Sequence, residues 1–366
     1  MQLNDFASIA LYLSVFLIAT VFAYIGQKKN KKFLVILAIL IPALLAGFRY
    51  DTGTDSMTYR ELYADIGKET PEVLAWRASE GGLEPFVVFF SAFGNFFNLP
   101  PSFLFIVFAL ITTSFLYVTT RTFSRNRAWL FYGMLLFMLF PESLNIMRQI
   151  AANSVQAYVL AHIFKSQRYN VRARIVPILL LLAFSVTLHY SSVLLLPVFL
   201  LPIIIKYVRR RTLTLLLCVF ICGCIFAFPA MLDFVIELGI LTTRHYETFM
   251  EMPGSIVNVK FFTGAILAAI MIANYCRREL KFDKQYSLLL LLGTAYSAIG
   301  FYSGYLGRLS MFFWIFIIMV GGEMLCQLFK KDRHRFTICG AIAVSYFLIY
   351  FCVLGFNAII PYSFAF

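Results

Sequence analysis

Apolar runs long enough to cross a bilayer follow one another along this 366-residue chain, and short clusters of lysine and arginine interrupt them. A helix needs about 20 apolar residues to span roughly 30 Å of hydrocarbon. Hydrophobic residues make up 61% of the chain and phenylalanine alone counts 41, more apolar surface than a soluble domain can bury. Lipid offers no partners to backbone polar groups, so only helices or a closed barrel can cross it. The runs are continuous rather than alternating ten-residue segments, which excludes an outer-membrane barrel. The fold class is all-α, a polytopic helical membrane protein.

The basic clusters give the sidedness. They lie at 28–32, 121–127, 165–174, 206–211, 277–284 and 330–335, with only Glu279, Asp283 and Asp332 among them. Short loops this basic belong on the cytoplasmic side. The same rule explains the net charge of +13, so no nucleic-acid partner is expected. An even number of spans must then separate successive clusters. Spans at 6–25, 33–48, 102–120, 129–141, 144–164, 175–188, 190–205, 213–229, 259–276, 286–302, 309–329 and 336–354 satisfy this. They make about 12 transmembrane helices with N- and C-termini external. The apolar stretch 84–99 would break the parity as a span. It is about 24 Å long as a helix and ends at Pro100-Pro101, so it reads as a re-entrant or interfacial helix on the external side. Asp5 precedes the first run and lysines follow it, the pattern of a retained span rather than a cleaved signal. No repeat or linker divides residues 1–366, so a single transmembrane domain is expected, with external loops 49–83 and 230–258 contributing to its site. The seven cysteines lie in or at the edges of apolar runs, and no His or carboxylate accompanies Cys218, Cys222 and Cys224. They read as small packing residues, with no disulfide and no metal site.

With the spans drawn, the remaining cations gather on the external side, and ionised groups near span ends need a partner or a role. The loop after the second span carries Arg49, Tyr50, Asp55, Tyr59 and Arg60 around Gly53. A short helix over 56–65 would bury Met57, Leu62 and Ile66, with Asp55 able to cap its start. Arg148 opens a later helix, with Asn145, Gln149, Asn153 and Gln156 at helical spacing on its side. That stripe could line a wet cavity or serve as interhelical glue. His189 sits at an external turn, where a histidine can act as base or phosphate donor, or be an ordinary surface residue. Arg308 precedes a late span beside Gly300, Gly304 and Gly307, with Tyr302 and Tyr305 offering faces for sugars or an interfacial belt. Glu84 follows Gly81-Gly82 and could be a base, a sugar acceptor or the N-terminal charge of its helix. Three arginines at one level without a metal-ligand cluster suit an anionic phosphate ligand, with no cofactor. Walker-type, HExxH and GxSxG patterns are missing.

Arg49-Tyr-x-x-Gly53-Thr-Asp55-x-x-x-Tyr59, then Glu84, Asn145-x-x-Arg148-Gln149, His189 before Ser191-Ser192, and Arg308-Leu-Ser resemble, in this order, the EpsG-type family of exopolysaccharide and O-antigen polymerases, the Wzy class. The resemblance covers most of the chain. It implies a glycosyltransferase joining undecaprenyl-diphosphate-linked oligosaccharide repeat units at the outer face of the bacterial cytoplasmic membrane, with undecaprenyl diphosphate leaving. Donor and acceptor repeat units are the implied partners, in membrane lipid, alongside a flippase and a chain-length regulator. On that reading Arg148, Arg308 and Arg49 hold the diphosphate, and His189, Asp55 or Glu84 supplies the base. Tyr59, Gln149, Asn145, Tyr50 and Tyr305 contact the sugars. An O-antigen ligase, a lipid-linked oligosaccharide flippase and a scaffold of a capsule-assembly complex are the alternatives.

Overall fold

The computed structural model describes residues 2–79, 82–166, 175–201, 212, 219, 258–277, 284–302, 307–329 and 331–365. The expected span 213–229, nearly all of loop 230–258, basic residues 168–174 and 206–211, Tyr305, Gly304, and Cys218, Cys222 and Cys224 lie outside the described residues. Cys326, Cys339 and Cys352 are free thiols. The chain forms two compact units, Met1–Leu196 with Lys331–Phe366, and Pro197–Lys330.

The first unit is built from long apolar helices with well-formed ends. Helix α1 (Asp5–Lys28) starts where Asn4 Oδ1 accepts from Ala7 N at 2.8 Å. Its acid in the first turn and its lysine in the last both complement the helix dipole. Gly26 lets α1 turn tightly onto α2 (Lys32–Gly47), since a Cβ there would lie 2.9 Å from Val35. Helix α6 (Ser102–Phe123) crosses α2 equally closely, and a Cβ on Gly47 would overlap Ile106. Helices α7 (Ala128–Met138), α8 (Met147–Ser166) and α9 (Ile175–Leu188) complete the bundle, with α8 packed on α6 and α9. Helix α7 is buried along nearly its whole length, and Tyr132 donates to Ala38 O of α2 at 3.0 Å.

Three shorter helices cover one end of α6, α8 and α9: α3 (Ser56–Ile66), α4 (Pro71–Ser79) and α5 (Pro85–Phe96). Twelve residues of α5 reach only about 18 Å, too short to cross, and the chain turns back at Asn98, whose φ is 54°. Tyr63 of α3 clamps this turn by donating to Leu99 O at 2.8 Å, while Asn95 Nδ2 donates to Tyr63 O at 2.8 Å. Ile66 is buried as expected and Leu62 packs partly buried against the core, but the face is completed by Ser56, Tyr59 and Tyr63 rather than by Met57. The two tyrosines carry more apolar area, and they share the core cluster with Leu104, Phe105 and Phe108 of α6. Asp55 sits at the N-cap position but makes no capping bond with its side chain.

The second unit's described part is three helices, α10 (Val259–Arg277), α11 (Lys284–Ile299) and α12 (Ser310–Leu328), with α11 packed against both others. Gly300 and Gly307 abut before α12, where a Cβ on Gly307 would lie 2.9 Å from Gly300 Cα. Back in the first unit, α13 (Asp332–Tyr346) runs on as a π-helical stretch over Phe347–Val353 and packs on α7.

Among the described residues, Asp5–Lys28, Ser102–Phe123, Ser310–Leu328 and Asp332–Val353 are long and apolar enough to cross a membrane, and seven shorter apolar helices accompany them. The chain is a multi-pass helical membrane protein. Two expected spans take other forms. The run 129–141 ends as an α-helix at Met138 and tightens into a 3₁₀ turn, Phe140–Leu144, around Pro141, which has no N–H to donate. The run 190–205 opens as 3₁₀ helix over Tyr190–Leu200. Ser192 starts this winding: its N and Oγ both reach His189 O, at 3.1 and 2.7 Å.

Candidate active site: a carboxylate between an arginine and a histidine

Glu84 is the N-cap of α5, and this places its carboxylate at the N-terminal end of α8 and the C-terminal end of α9. Oε2 takes an ion pair from Arg148 Nη1, in the first turn of α8. Oε1 lies 2.7 Å from Nδ1 of His189, the residue after α9. The Glu84 side chain is 5% exposed, whereas those of Arg148 and His189 are 25% and 24% exposed. The acid is therefore the buried hub, and the two nitrogen groups each keep one face open.

Burial alone would raise the Glu84 pKa. The His189 hydrogen bond and the Arg148 charge outweigh it and hold the carboxyl below its ordinary value. An ionised carboxylate can only accept, so His189 Nδ1 must donate. In the neutral imidazole that leaves the Nε2 lone pair free. Arg148 Nε donates to Tyr59 Oη at 3.2 Å, and its guanidinium lies 5.2 Å from the Tyr59 ring centre. Burial raises the Tyr59 pKa, so the phenol stays neutral. With Nε and Nη1 held, the remaining guanidinium N–H groups are available to a ligand. Tyr190 secures the rim by donating to Ala78 O and Leu83 O, at 3.0 and 3.2 Å.

The other expected site residues of the first unit fall around this cluster. Arg49 is 1% exposed and lies under the loop: Nη1 donates to Ala46 O at 2.6 Å, and its guanidinium sits 4.2 Å from the Phe105 ring centre. Burial lowers its pKa to about 10. Its main chain accepts from Arg60, whose guanidinium lies over the half-exposed Tyr50 ring at 4.9 Å. Asn145 precedes α8 rather than belonging to it. Its Oδ1 accepts from Thr54 Oγ1 at 2.5 Å and from Asp55 N at 3.1 Å. Asn145 thus holds the N–H of the residue that precedes α3, and the Asp55 carboxylate lies 3.1 Å from the same Thr54 hydroxyl rather than on a helix N–H. Gln149 and Asn153 are buried on α8, and Gln156 joins α8 to the next segment by donating to Ser192 O at 2.9 Å. At Gln156 the polar stripe is interhelical glue. In the second unit, Arg308 is half-buried, and its carbonyl accepts from Met311 N at the start of α12.

Sequence reasoning passed over Glu142 and Asn357. Asn357 Nδ2 donates to Glu142 Oε2 at 2.8 Å, and its Oδ1 lies 3.3 Å from Asn145 Nδ2. The carboxylate ending an apolar run at Pro141-Glu142 was a visible signal; Asn357 gave none. The C-terminal segment continues this lining. Gly53 N donates to Ala358 O at 3.1 Å, Tyr50 N to Ser363 O at 2.7 Å and Ala365 N to Phe48 O at 2.8 Å. Gly53 is needed here, because its φ is +87° and a Cβ would lie 2.6 Å from Leu144 O.

Among the described residues no group of three or more His, Cys, Asp or Glu side chains is placed to hold a metal. No curated protein and no solved structure gives a significant match to the chain. A family model does match: it is the EpsG family, and the match runs over residues 32–364. With nearly the whole sequence covered and the helices of a multi-pass membrane protein in place, the chain belongs to the EpsG family, whose function is of the polysaccharide-polymerase type.

Proposed function

We propose that the chain joins undecaprenyl-diphosphate-linked oligosaccharide repeat units into a surface polysaccharide. It does so at the outer face of the bacterial cytoplasmic membrane, as a protein of about twelve spans with both termini external. The observation that carries this reading is the Glu84 carboxylate held between Arg148 and His189. Glycosyl transfer from a lipid diphosphate needs a base for the acceptor hydroxyl and positive charge for the departing diphosphate. The cluster presents one of each at partly exposed positions.

In the proposed step His189 Nε2 takes the proton of the acceptor hydroxyl. The hydroxyl oxygen forms the new bond to the anomeric carbon, and the bond from that carbon to the diphosphate oxygen breaks. Its electron pair leaves with undecaprenyl diphosphate, where Arg148 meets the growing charge. Glu84 holds the imidazole with Nδ1 protonated and stabilises the imidazolium that forms. Both of its oxygens are engaged, so it orients the base rather than acting as one. Arg308 is assigned as a second diphosphate cation. Arg49 supports the loop from beneath, and Tyr50, Tyr59, Tyr305, Asn145 and Gln149 are assigned to the sugars. A flippase would deliver the repeat units and a chain-length regulator would limit the product.

The test is polymer length in a strain lacking the native gene, complemented with wild type or Arg148→Ala at matched membrane levels. Wild type should give a ladder of repeats and the variant single repeats, a loss of about 10²–10³ in rate for one oxyanion donor. A full ladder from the variant refutes the assigned role. Wild type that restores attachment or export without adding repeats turns the assignment to a ligase or a flippase.

A further inference from the structure

The opposite end of α6 carries a cavity of about 520 Å³. Arg121 lies about 24 Å along α6 from Phe105, at 1.5 Å per residue, so this cavity is remote from Glu84. Lys32 of α2, Arg121 of α6 and Arg125 of the following loop line it. Gln27, Asn30 and Asn126 add amide groups between the charges. No carboxylate lines it, and among the described residues none pairs with any of the three cations.

The walls are fixed. Gln27 Nε2 donates to Arg125 O at 2.5 Å, and Gln27 Oε1 accepts from Trp129 N at 3.2 Å. These bonds tie the loop between α6 and α7 to the end of α1. Asn30 takes a φ of 52° in the turn to α2, and Gly26 keeps the two helices in contact. Beneath the charged rim the lining changes to Val35, Ile36 and Tyr117. Ile36 is 52% exposed, and Phe33 beside it on α2 is 67% exposed, so an apolar strip continues from the lining onto the open surface.

We propose that this cavity binds an anionic phospholipid: its phosphate sits among Lys32, Arg121 and Arg125, and an acyl chain runs over Phe33 and Ile36. The charge arrangement calls for a phosphate, and the apolar floor and flank call for a lipid as its carrier. Basic pockets between membrane helices recognise head groups in this way. The site is independent of the polymerase assignment and needs only the membrane setting.

The experiment uses the full-length chain in nanodiscs of phosphatidylcholine, with phosphatidylglycerol titrated in and retention counted by native mass spectrometry after release. Wild type should keep one phosphatidylglycerol in preference to phosphatidylcholine. Arg121→Gln with Arg125→Gln should weaken that binding about thirtyfold, the effect of two juxtamembrane charges. Lys331→Gln with Arg333→Gln removes the same charge from exposed positions outside the cavity and should leave it unchanged. Thermal unfolding in pure phosphatidylcholine, equal for both double variants and wild type, shows that the fold is intact. Equal weakening in both double variants means a diffuse surface charge and overturns the site. Displacement of the lipid by millimolar inorganic phosphate alone means a free-phosphate site and overturns the lipid assignment.

Discussion

Glu84→Gln is the most informative single change, because it keeps the shape of the hub and alters only its charge and one acceptor. The wild-type carboxylate accepts twice, from Arg148 at Oε2 and from His189 Nδ1 at 2.7 Å from Oε1. An amide has one acceptor oxygen and one NH₂ donor, so one of these contacts must fail. If the NH₂ faces His189, Nδ1 must accept and the ring proton moves to Nε2, the atom proposed as base. If it faces Arg148, two donors oppose each other and a partly buried guanidinium loses its counter-charge. A hydrogen bond to a charged group contributes about 1.5–3 kcal/mol, or about 10–150-fold in rate. The tautomer change can cost up to about 10⁴-fold. The expected loss is therefore about 10–10⁴-fold, in turnover rather than in substrate binding. It would be read as the single-turnover rate of coupling two lipid-linked repeat units by purified protein. Coupling by Glu84→Gln within a factor of three of wild type would refute the orienting role. A loss confined to substrate affinity would refute it as well, since that belongs to a residue that only grips the ligand.

Two more outcomes follow from the same geometry. The native Glu84 pKa lies below 4.5, so the stability from its contacts with His189 and Arg148 is fully present above about pH 4.5 and is lost as pH falls through the lower native value. The thermal-unfolding gap between wild type and Glu84→Gln should thus be constant from about pH 8 to pH 5 and shrink below pH 4; a gap that closes near pH 6 would mean another group carries it. Gly53→Ala should lower stability by at least about 1–3 kcal/mol for a non-glycine residue at positive φ, plus the overlap with Leu144 O at 2.6 Å. An unchanged melting temperature would show that the loop lacks the tight passage described.

Hydropathy and loop charge carried the helical membrane class, since both are written residue by residue along the chain. They also singled out Glu84, Arg148 and His189, polar groups at the ends of apolar runs, where each stands out against its neighbours. Their arrangement was not legible. Glu84 read equally as base, acceptor or helix charge, and only its two neighbours show a carboxylate occupied on both sides. On α3 the hydrophobic period found Leu62 and Ile66 but passed over Tyr59 and Tyr63, whose burial depends on Phe105 across the interface. The partner of the Asp55 N–H is Asn145, 90 residues away, and no local pattern encodes it. The tight winding after His189 depends on one carbonyl accepting two bonds, which hydropathy does not register.

The C-terminal segment has a consequence for the order in which this unit can be completed. Tyr12 donates to Ile359 O across 347 positions, and Tyr362 N to Ser8 Oγ across 354. On either side of these anchors, Ala358, Ser363 and Ala365 supply backbone partners to Gly53, Tyr50 and Phe48. A nascent chain that has reached residue 350 already contains Tyr59, Glu84, Arg148 and His189. It still lacks the partners for those backbone groups, which folded proteins rarely leave unpaired. The four side chains of the cluster are thus synthesised early, while the wall beside them closes only when the last stretch arrives.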